Sequence, residues 1–242
     1  MILEKHASEV TEQEEILWAL EENAPRYNDW LLSRALPHAG RDMLEVGAGI
    51  GTFTLRLAAL GIRVTALEPD ERLADILEER TRHLSGVDVI REDIEGPTRE
   101  RLGRRFDSVI CFNVLEHIAD DKEALTTMRH CLKKSGKLML LAPAHQFLFG
   151  ETDRAVHHER RYDSRGLARL LSDVGLEIDQ LQYVNPLGAA GWFVSSCVFR
   201  RKTLGLAPLR LYEHLVPTLR HLDRLPLPLG LSLWVRARPI SS

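Results

Sequence analysis

Short apolar runs alternate with amphipathic stretches along the middle of the chain. Each run holds three to six residues, many of them valine, isoleucine or leucine, which is typical of a buried strand. The runs cover residues 43–46, 64–67, 88–90, 108–112 and 137–142. Apolar residues recur at helical spacing between them, over 52–60, 71–83 and 121–132. Strands that alternate with helices predict an α/β fold, a doubly wound parallel sheet with helices on both faces.

The two ends of the chain extend this α/β region. The spacing of apolar residues predicts two N-terminal helices, over 9–22 and 26–36. Beyond the fifth strand the pattern predicts a long polar loop, a helix, a strand, a segment rich in proline and leucine, and a final strand. These cover residues 143–163, 164–173, 176–184, 186–230 and 231–237. We therefore predict one domain, made of a helical cap, a core, a helical insertion and a last strand over 1–40, 41–184, 185–230 and 231–242.

Composition excludes several classes of protein. The 242 residues carry a net charge of −3, so no bulk basic field attracts nucleic acid, and we expect no nucleic-acid partner. The three cysteines form no Cys-x-x-Cys pair and cannot make an even disulfide framework. The N-terminus is acidic and lacks a long apolar core, which predicts no signal peptide. We expect a cytoplasmic protein.

Glycines follow the first predicted strand at every second position, in the segment MLEVGAGIGTF over residues 43–53. Glycine permits a positive φ and a close approach to the backbone, and the helix that starts here offers unpaired N–H groups. Gly47, Gly49 and Gly51 therefore indicate either a ligand site or a tight turn that serves only to join strand and helix.

Acidic residues favour the ligand site. Glu68 ends the second strand, where a carboxylate can accept both ribose hydroxyls of a nucleoside. Asp93 follows the third strand and is placed to accept from an adenine amino group. A nicotinamide site requires a glycine at the position of Thr52, and Glu45 would repel a pyrophosphate. The Glu45 carboxylate suits a ligand with an ammonium group and a sulfonium, which is S-adenosylmethionine.

With these residues the sequence resembles the class I S-adenosylmethionine-dependent methyltransferases. The five motifs of that family are matched in order by LEVGAGIG, ALEPD, REDIEG, FDSVICFNVLEHIADD and LKKSGKLMLLAPA, over about residues 26–184. The resemblance implies S-adenosylmethionine as the cofactor. It also implies a Rossmann-like sheet of seven strands in the order 3-2-1-4-5-7-6, with strand seven antiparallel.

The resemblance further implies which residues contact the cofactor. They follow the ligand from its methionyl end through the ribose and adenine to the sulfonium, and Tyr27 either closes over the cofactor or packs in the core. The implied residues are Tyr27, Glu45, Gly47, Ala48, Gly49, Glu68, Pro69, Asp93, Ile94, Asn113 and Val114.

The segment after the fifth strand resembles a bacterial subgroup of that family. The subgroup has the pattern D-x-x-x-G-H-x-R-R-Y, and many of its members are encoded near glycosyltransferases or other biosynthetic enzymes, which implies a role in small-molecule, saccharide or natural-product biosynthesis. The matching residues are Asp153, His158, Arg160, Arg161 and Tyr162, and His157 replaces the glycine of the pattern. We expect the loop backbone to differ at this position.

Candidate catalytic and acceptor-binding residues cluster in the same segment. His158 is the first candidate for a general base, because its neutral form is available near pH 7. His117 and Tyr162 are further catalytic candidates. A purely structural alternative has Asp153 bonded to Arg160 and His158, and a carboxylate acceptor would need no base. The candidate acceptor-binding residues are His145, Asp153, Arg160 and Arg161.

The sequence Glu116-His117 raises the question of a metal ion. Some methyltransferases with the pattern E-x-x-E-H at this position bind a divalent ion. Here Asn113 occupies the first position, which removes a carboxylate, and two ligands do not make a site. We therefore predict no metal.

The proline-rich insertion contains an apolar stripe at helical spacing. Its residues are Leu209, Tyr212, Leu215, Val216, Leu219 and Leu222. Three interpretations are open: the stripe packs on the core or roofs the acceptor site, it forms a homodimer interface in a chain that is otherwise a monomer, or it lies on a membrane surface. The uncharged stretch over 180–199 is broken by polar residues and glycines, so we predict no membrane span.

The sequence thus predicts an S-adenosylmethionine-dependent methyltransferase. O-methylation of a small-molecule, saccharide or peptide-derived biosynthetic intermediate is the leading interpretation. The alternatives are N- or C-methylation of a natural product and a non-catalytic module that binds S-adenosylmethionine, because cofactor motifs do not identify the acceptor.

Overall fold

A seven-stranded sheet forms the centre of the protein. The computed structural model describes residues 11–95, 102–103, 105–201, 205–219, 221–225 and 227–240. The strands are β1 (Asp42–Val46), β2 (Arg63–Leu67), β3 (Val87–Ile90), β4 (Phe106–Phe112), β5 (Leu132–Pro143), β6 (Leu176–Val184) and β7 (Ser232–Pro239). Their order is β3-β2-β1-β4-β5-β7-β6. β1 to β5 run parallel and β7 is antiparallel to both neighbours, which confirms the predicted sheet.

Helices connect and flank these strands, most of them where the pattern predicts them. They are α1 (Glu12–Asn23), α2 (Pro25–Ala35), α3 (Thr52–Ala59), α4 (Glu71–Thr81), α5 (Asp121–Cys131), α6 (Glu151–Ala155), α7 (Ser164–Asp173), α8 (Pro186–Trp192) and α9 (Leu206–Leu219). Aspartates at the residue before the helix explain several starts. Asp70, Asp120 and Asp163 each accept a hydrogen bond from a backbone N–H in the first turn.

The polar loop predicted over 143–163 is wrong in part, because this segment contains helix α6. Thr152 lies in that helix and is buried. Its N–H donates to Ser196 Oγ at 3.0 Å and its hydroxyl donates to the Arg201 carbonyl at 2.8 Å. Both partners are more than forty residues away in the chain. Distant contacts therefore stabilise a helix that local periodicity does not reveal.

Helix α9 packs on the N-terminal helices by one side. Val216 is buried in the core beside α2, whereas Leu215 is 43% exposed, so the predicted apolar stripe is narrower than expected. The Glu213 carboxylate accepts from the N–H groups of Arg26 and Tyr27, which satisfies the start of α2. The roof, dimer and membrane-surface interpretations stay predictions. Among the described helices, none is long and apolar enough to cross a bilayer.

Ion pairs hold helix α1 against helices α3 and α4. Glu14 of α1 pairs with Arg72 of α4. Glu21 pairs with Arg56 of α3 at 2.9 Å and with Arg80 of α4 at 3.3 Å. These contacts place α1 over the carboxyl edge of the sheet, which is the edge where ligands bind in doubly wound folds.

Candidate functional site

A cavity of about 480 Å³ opens at the carboxyl ends of β1, β2, β3 and β4. All the residues predicted to contact a cofactor line it, although their separate roles stay predictions. They are Tyr27, Glu45, Gly47, Ala48, Gly49, Glu68, Pro69, Asp93, Ile94, Asn113 and Val114. Parallel strands end at one edge of the sheet, so residues far apart in sequence meet there.

The glycine turn brings bare backbone to the wall of the cavity. Gly47 and Gly49 have φ angles of 69° and 57°, in the left-handed region that favours glycine. A Cβ at Gly47 would lie 2.4 Å from Cγ2 of Val114, so a side chain there would also collide. The Gly49 N–H donates to Oε2 of Glu68 at 2.7 Å, which ties the turn to the end of β2.

Backbone N–H groups hold the Glu68 carboxylate on two sides. Gly49 donates to Oε2 at 2.7 Å, and Asp70 donates to Oε1 at 3.1 Å. Burial raises the pKa of Glu68, and these two hydrogen bonds oppose the rise. Each carboxylate oxygen has a second lone pair. The fixed carboxylate therefore fits the paired hydroxyls of a ribose.

Glu45 places a buried carboxyl in the same wall. Its side chain accepts from the Thr54 hydroxyl at 2.6 Å, and the residue is only 3% exposed. Burial raises the pKa of Glu45 to about 8; the Thr54 hydrogen bond opposes this rise and the negative charge of Glu68 adds to it. A buried carboxylate gains stability from a nearby cation. Glu45 therefore fits the ammonium group of S-adenosylmethionine.

This raised pKa leads to a pH-dependent stability in the cofactor-free protein. The folded state binds the Glu45 proton more tightly than the unfolded state does. The contribution of Glu45 to the free energy of unfolding is therefore fully present below pH 4.5 and is lost as the pH rises towards 8. We expect wild-type protein to lose about 2–4 kcal/mol of unfolding free energy relative to Glu45→Gln across that range. Urea unfolding of both proteins at several pH values measures the difference. Parallel curves for the two proteins would contradict it.

Helix α1 contributes to the cavity in a way that the sequence pattern missed. Gln13, Ile16, Leu17 and Leu20 line it. Their spacing predicts a helix, but no local signal tells which surface that helix covers. Tyr27 both lines the cavity and packs against Trp30, with ring centroids 5.6 Å apart. Both interpretations of Tyr27 are therefore compatible with its position.

A polar cluster lines another part of the cavity. His117 and His158 belong to the lining, and their rings meet edge to face with centroids 4.7 Å apart. His158 Nδ1 lies 2.7 Å from Oδ1 of Asp153, and its Nε2 lies 3.7 Å from Oε1 of Glu116. We call Glu116, His117 and His158 the EHH cluster. The fold thus joins the two sequence motifs that carry the catalytic candidates.

Burial changes the ionisation of two members of the EHH cluster. Glu116 is fully buried, and neither of its carboxylate oxygens has a hydrogen-bond partner among the described residues. Burial raises the pKa of Glu116 to about 7, and the nearby His158 opposes this rise. Burial lowers the pKa of His117 to about 4, and His158 lowers it further. His117 is therefore neutral at pH 7.

Asp153 and Arg161 support the cluster from inside the protein and do not line the cavity. Asp153 is completely buried, and its Oδ1 accepts from Arg161 Nε at 2.9 Å. Its Oδ2 accepts from the Gly150 N–H at 2.8 Å. The expected pairing of Asp153 with Arg160 is wrong, because Arg161 points inwards instead. Its guanidinium also lies 4.7 Å from the centre of the Trp192 ring.

The other candidate residues of this segment also lie outside the cavity lining. The Tyr162 hydroxyl donates to Oδ2 of Asp121 at 3.0 Å, and Arg160 pairs with the same carboxylate at 3.0 Å. The His145 ring stacks on Tyr183 with centroids 4.4 Å apart. These side chains have structural partners, and their proposed roles in acceptor binding and catalysis stay predictions.

Two residues beside the site adopt a left-handed backbone. Asn113 lines the cavity with a φ of 54°, and His157 has a φ of 58°. The subgroup pattern has glycine at the position of His157, and glycine favours this conformation. The φ angle of His157 is therefore one that glycine also adopts, and the change of loop backbone expected at this position is not seen in this angle. Unusual backbone angles in non-glycine residues are common beside functional sites.

The fold and the cavity together define a site whose lining suits a cofactor that contains a nucleoside. A family model described as a methyltransferase domain matches residues 20–181. The chain belongs to this methyltransferase family.

Curated relatives and solved structures agree with this family. The chain is 33% identical over 110 residues to a ubiquinone biosynthesis O-methyltransferase of Xanthomonas oryzae pv. oryzae, covering 45% of this chain and 46% of that protein. It therefore spans about half the length of the curated relatives it matches. An S-adenosylmethionine-dependent methyltransferase from Clostridium acetobutylicum has a TM-score of 0.60 at 12% identity, covering 89% of this chain and 92% of the other. The glycopeptide N-methyltransferase MtfA complexed with S-adenosylmethionine has a TM-score of 0.57 at 13% identity, covering 88% and 87%.

Proposed function

We propose that the protein methylates a hydroxyl oxygen of a small-molecule biosynthetic intermediate. The observation that carries this proposal is the EHH cluster, two of whose members, His117 and His158, line the same cavity as the residues assigned to the cofactor. A hydroxyl is a weak nucleophile until its proton is removed. A carboxylate acceptor needs no such group, so a buried polar cluster favours a hydroxyl.

The cofactor is proposed to lie with its amino acid part near Glu45 and its ribose on Glu68. When bound, S-adenosylmethionine supplies an electrophilic methyl group, whose bond to sulfur breaks as the new bond to oxygen forms. The chain supplies alignment and a site shielded from water, partly through α1. The apolar side chains of Ile16, Leu17 and Leu20 contribute to this shielding.

The EHH cluster is proposed to activate the acceptor. The Asp153 carboxylate accepts from His158 Nδ1 at 2.7 Å, which directs the other ring nitrogen towards Glu116. A carboxylate that fixes a histidine in this way holds one tautomer and one ring orientation. His158 therefore meets the acceptor as a preorganised group, and Asp153 acts as a positioning residue.

The named activity of the curated relatives supports oxygen as the acceptor atom. Those relatives are called ubiquinone biosynthesis O-methyltransferases, and the match covers 100 to 110 residues. Phenols and saccharides with neighbouring hydroxyls are therefore the first acceptors to test. The chemistry of the EHH cluster suits either kind of hydroxyl.

The test is a methylation assay with panels of phenolic, saccharide and peptide-derived hydroxyl acceptors, read as a mass gain of one methyl group. With an accepted substrate, we expect His158→Ala to lower kcat by at least about 100-fold, because groups that assist proton transfer contribute at least that much. The affinity for S-adenosylmethionine is expected to stay within about threefold of wild type, a difference below about 1 kcal/mol.

His83→Ala is the matched control, because His83 is exposed in the turn that follows α4 and does not line the cavity. It is expected to retain wild-type turnover. Unchanged kcat in His158→Ala would remove this residue from the mechanism. A product methylated on nitrogen or carbon would contradict the assignment to oxygen.

A further inference from the structure

The EHH cluster brings together three side chains that each offer a metal-ligating atom. The ligating atoms of Glu116, His117 and His158 all lie within 4.8 Å of one another. Glu116 and His117 follow β4, whereas His158 comes from the segment after α6, forty-one residues further on. The prediction of no metal considered only the adjacent pair. The fold supplies a third ligand that the local motif does not contain.

Asp153 presents His158 to the cluster with a free lone pair. The carboxylate of Asp153 also accepts from Arg161 and from the Gly150 N–H, which fits an ionised acceptor. Its third bond, to His158 Nδ1, therefore requires the proton on that nitrogen. Nε2 points away from Asp153 and is the ring nitrogen that is available as a metal ligand. A carboxylate behind a ligating histidine is the usual outer support of a protein metal site.

His158 Nε2 faces an unpartnered carboxylate. Oε1 of Glu116 lies 3.7 Å from His158 Nε2, and both oxygens of Glu116 are buried with no hydrogen bond from any described residue. Bonds from zinc to nitrogen and oxygen are each about 2.0–2.2 Å long, so one ion can reach both atoms. A buried carboxylate without a partner is costly, and a cation bound to it removes that cost.

His117 completes the set. Its ring lies 4.7 Å from that of His158, centroid to centroid, and it lines the cavity. A neutral imidazole always keeps one ring nitrogen with a free lone pair as a possible ligand. Two imidazoles and one carboxylate suit a divalent first-row transition ion and leave coordination positions open for an acceptor.

We propose that Glu116, His117 and His158 bind one divalent transition-metal ion, and that this ion takes the acceptor's hydroxyl oxygen. The second part rests on the proposed function, whereas the first does not. On the ion, the O–H bond of the hydroxyl breaks, its electron pair stays on oxygen and the proton passes to water. The ion keeps its charge and oxidation state. His158 then acts as a ligand, and the ion activates the hydroxyl by lowering its pKa, so that water can take the proton.

The binding test uses the full chain and needs no acceptor. After treatment with a chelator and gel filtration, the protein is titrated with Co²⁺, followed by its visible absorption, and with Zn²⁺, followed by calorimetry. We expect one ion per chain in wild type. Glu116→Gln and His158→Gln are expected to weaken binding by at least about 100-fold, and Asp153→Asn by about 10- to 100-fold.

Matched variants distinguish a loss of metal binding from unfolding of the protein and from a loss of cofactor binding. Glu116→Gln is expected to bind S-adenosylmethionine as wild type does, which shows that it folds. Glu68→Gln is expected to do the reverse, binding Co²⁺ normally while losing S-adenosylmethionine. Absent Co²⁺ binding in wild type, or equal binding in wild type and Glu116→Gln, would overturn the metal site.

Turnover then tests the second part of the inference. Once an acceptor is found, we expect removal of the metal to abolish methylation and Zn²⁺ or Co²⁺ to restore it. Full activity in the metal-free protein would overturn the role of the ion and leave His158 as a direct base. Failure to find any hydroxyl acceptor would contradict the proposed function, while the Co²⁺ titration would still report on the metal site.

Discussion

Glu68→Gln is expected to weaken binding of S-adenosylmethionine by about 100-fold or more, which is near 3 kcal/mol. The Glu68 carboxylate accepts from the N–H groups of Gly49 and Asp70 on its two oxygens. Glutamine replaces one oxygen with an NH₂ group, so that this NH₂ donor faces one of the two backbone N–H donors. The variant also loses the charge that strengthens hydrogen bonds from a ribose, each worth about 1.5–3 kcal/mol.

Calorimetric titration with S-adenosylmethionine and S-adenosylhomocysteine measures this effect. Glu71→Gln is the matched control, because the Glu71 side chain is 81% exposed and pairs only across the surface with Arg91. The control is expected to bind as wild type does. If Glu68→Gln bound within threefold of wild type, the end of β2 would not hold the ribose, and the assigned orientation of the cofactor would be wrong.

Neighbouring arginines are expected to differ sharply in their effect on stability. Arg161→Met is expected to lower the free energy of unfolding by about 3–5 kcal/mol, because it breaks a buried ion pair and leaves Asp153 without its cation. The Arg161 side chain is 1% exposed and also donates to the Ala144 carbonyl. Arg160→Met removes a partly exposed pair with Asp121, and its expected cost is under about 1 kcal/mol.

Urea unfolding of the two variants and wild type gives the comparison, since both substitutions remove the same charge and leave a similar apolar side chain. Equal losses in the two variants would show that burial of Arg161 does not determine its contribution. We also expect Arg161→Met to weaken Co²⁺ binding, because Asp153 loses a contact that positions it behind His158.

Local patterns in the sequence were sufficient for the first five strands and most helices, whereas the order of the seven strands was implied by the resemblance to a known family. Apolar periods of two and 3.6 residues reflect which face of a strand or helix is buried, and both can be read over a few residues. Most residues predicted to contact the cofactor line one cavity because they follow strand ends. Gly47 after β1 and Glu68 after β2 meet without further information once the strands are parallel neighbours.

Contacts between distant segments decided the rest. Helix α6 depends on Ser196 and Arg201, and α1 reaches the cavity through ion pairs to α3 and α4. The sequence does not show whether Arg160 or Arg161 is buried. The two residues are adjacent and of the same type, and only the folded loop determines the direction of each side chain. The EHH cluster joins segments forty-one residues apart. Its geometry exists only when the sheet has brought the end of β4 and the segment after β5 together, because side-chain distances across a fold depend on packing and not on local periodicity.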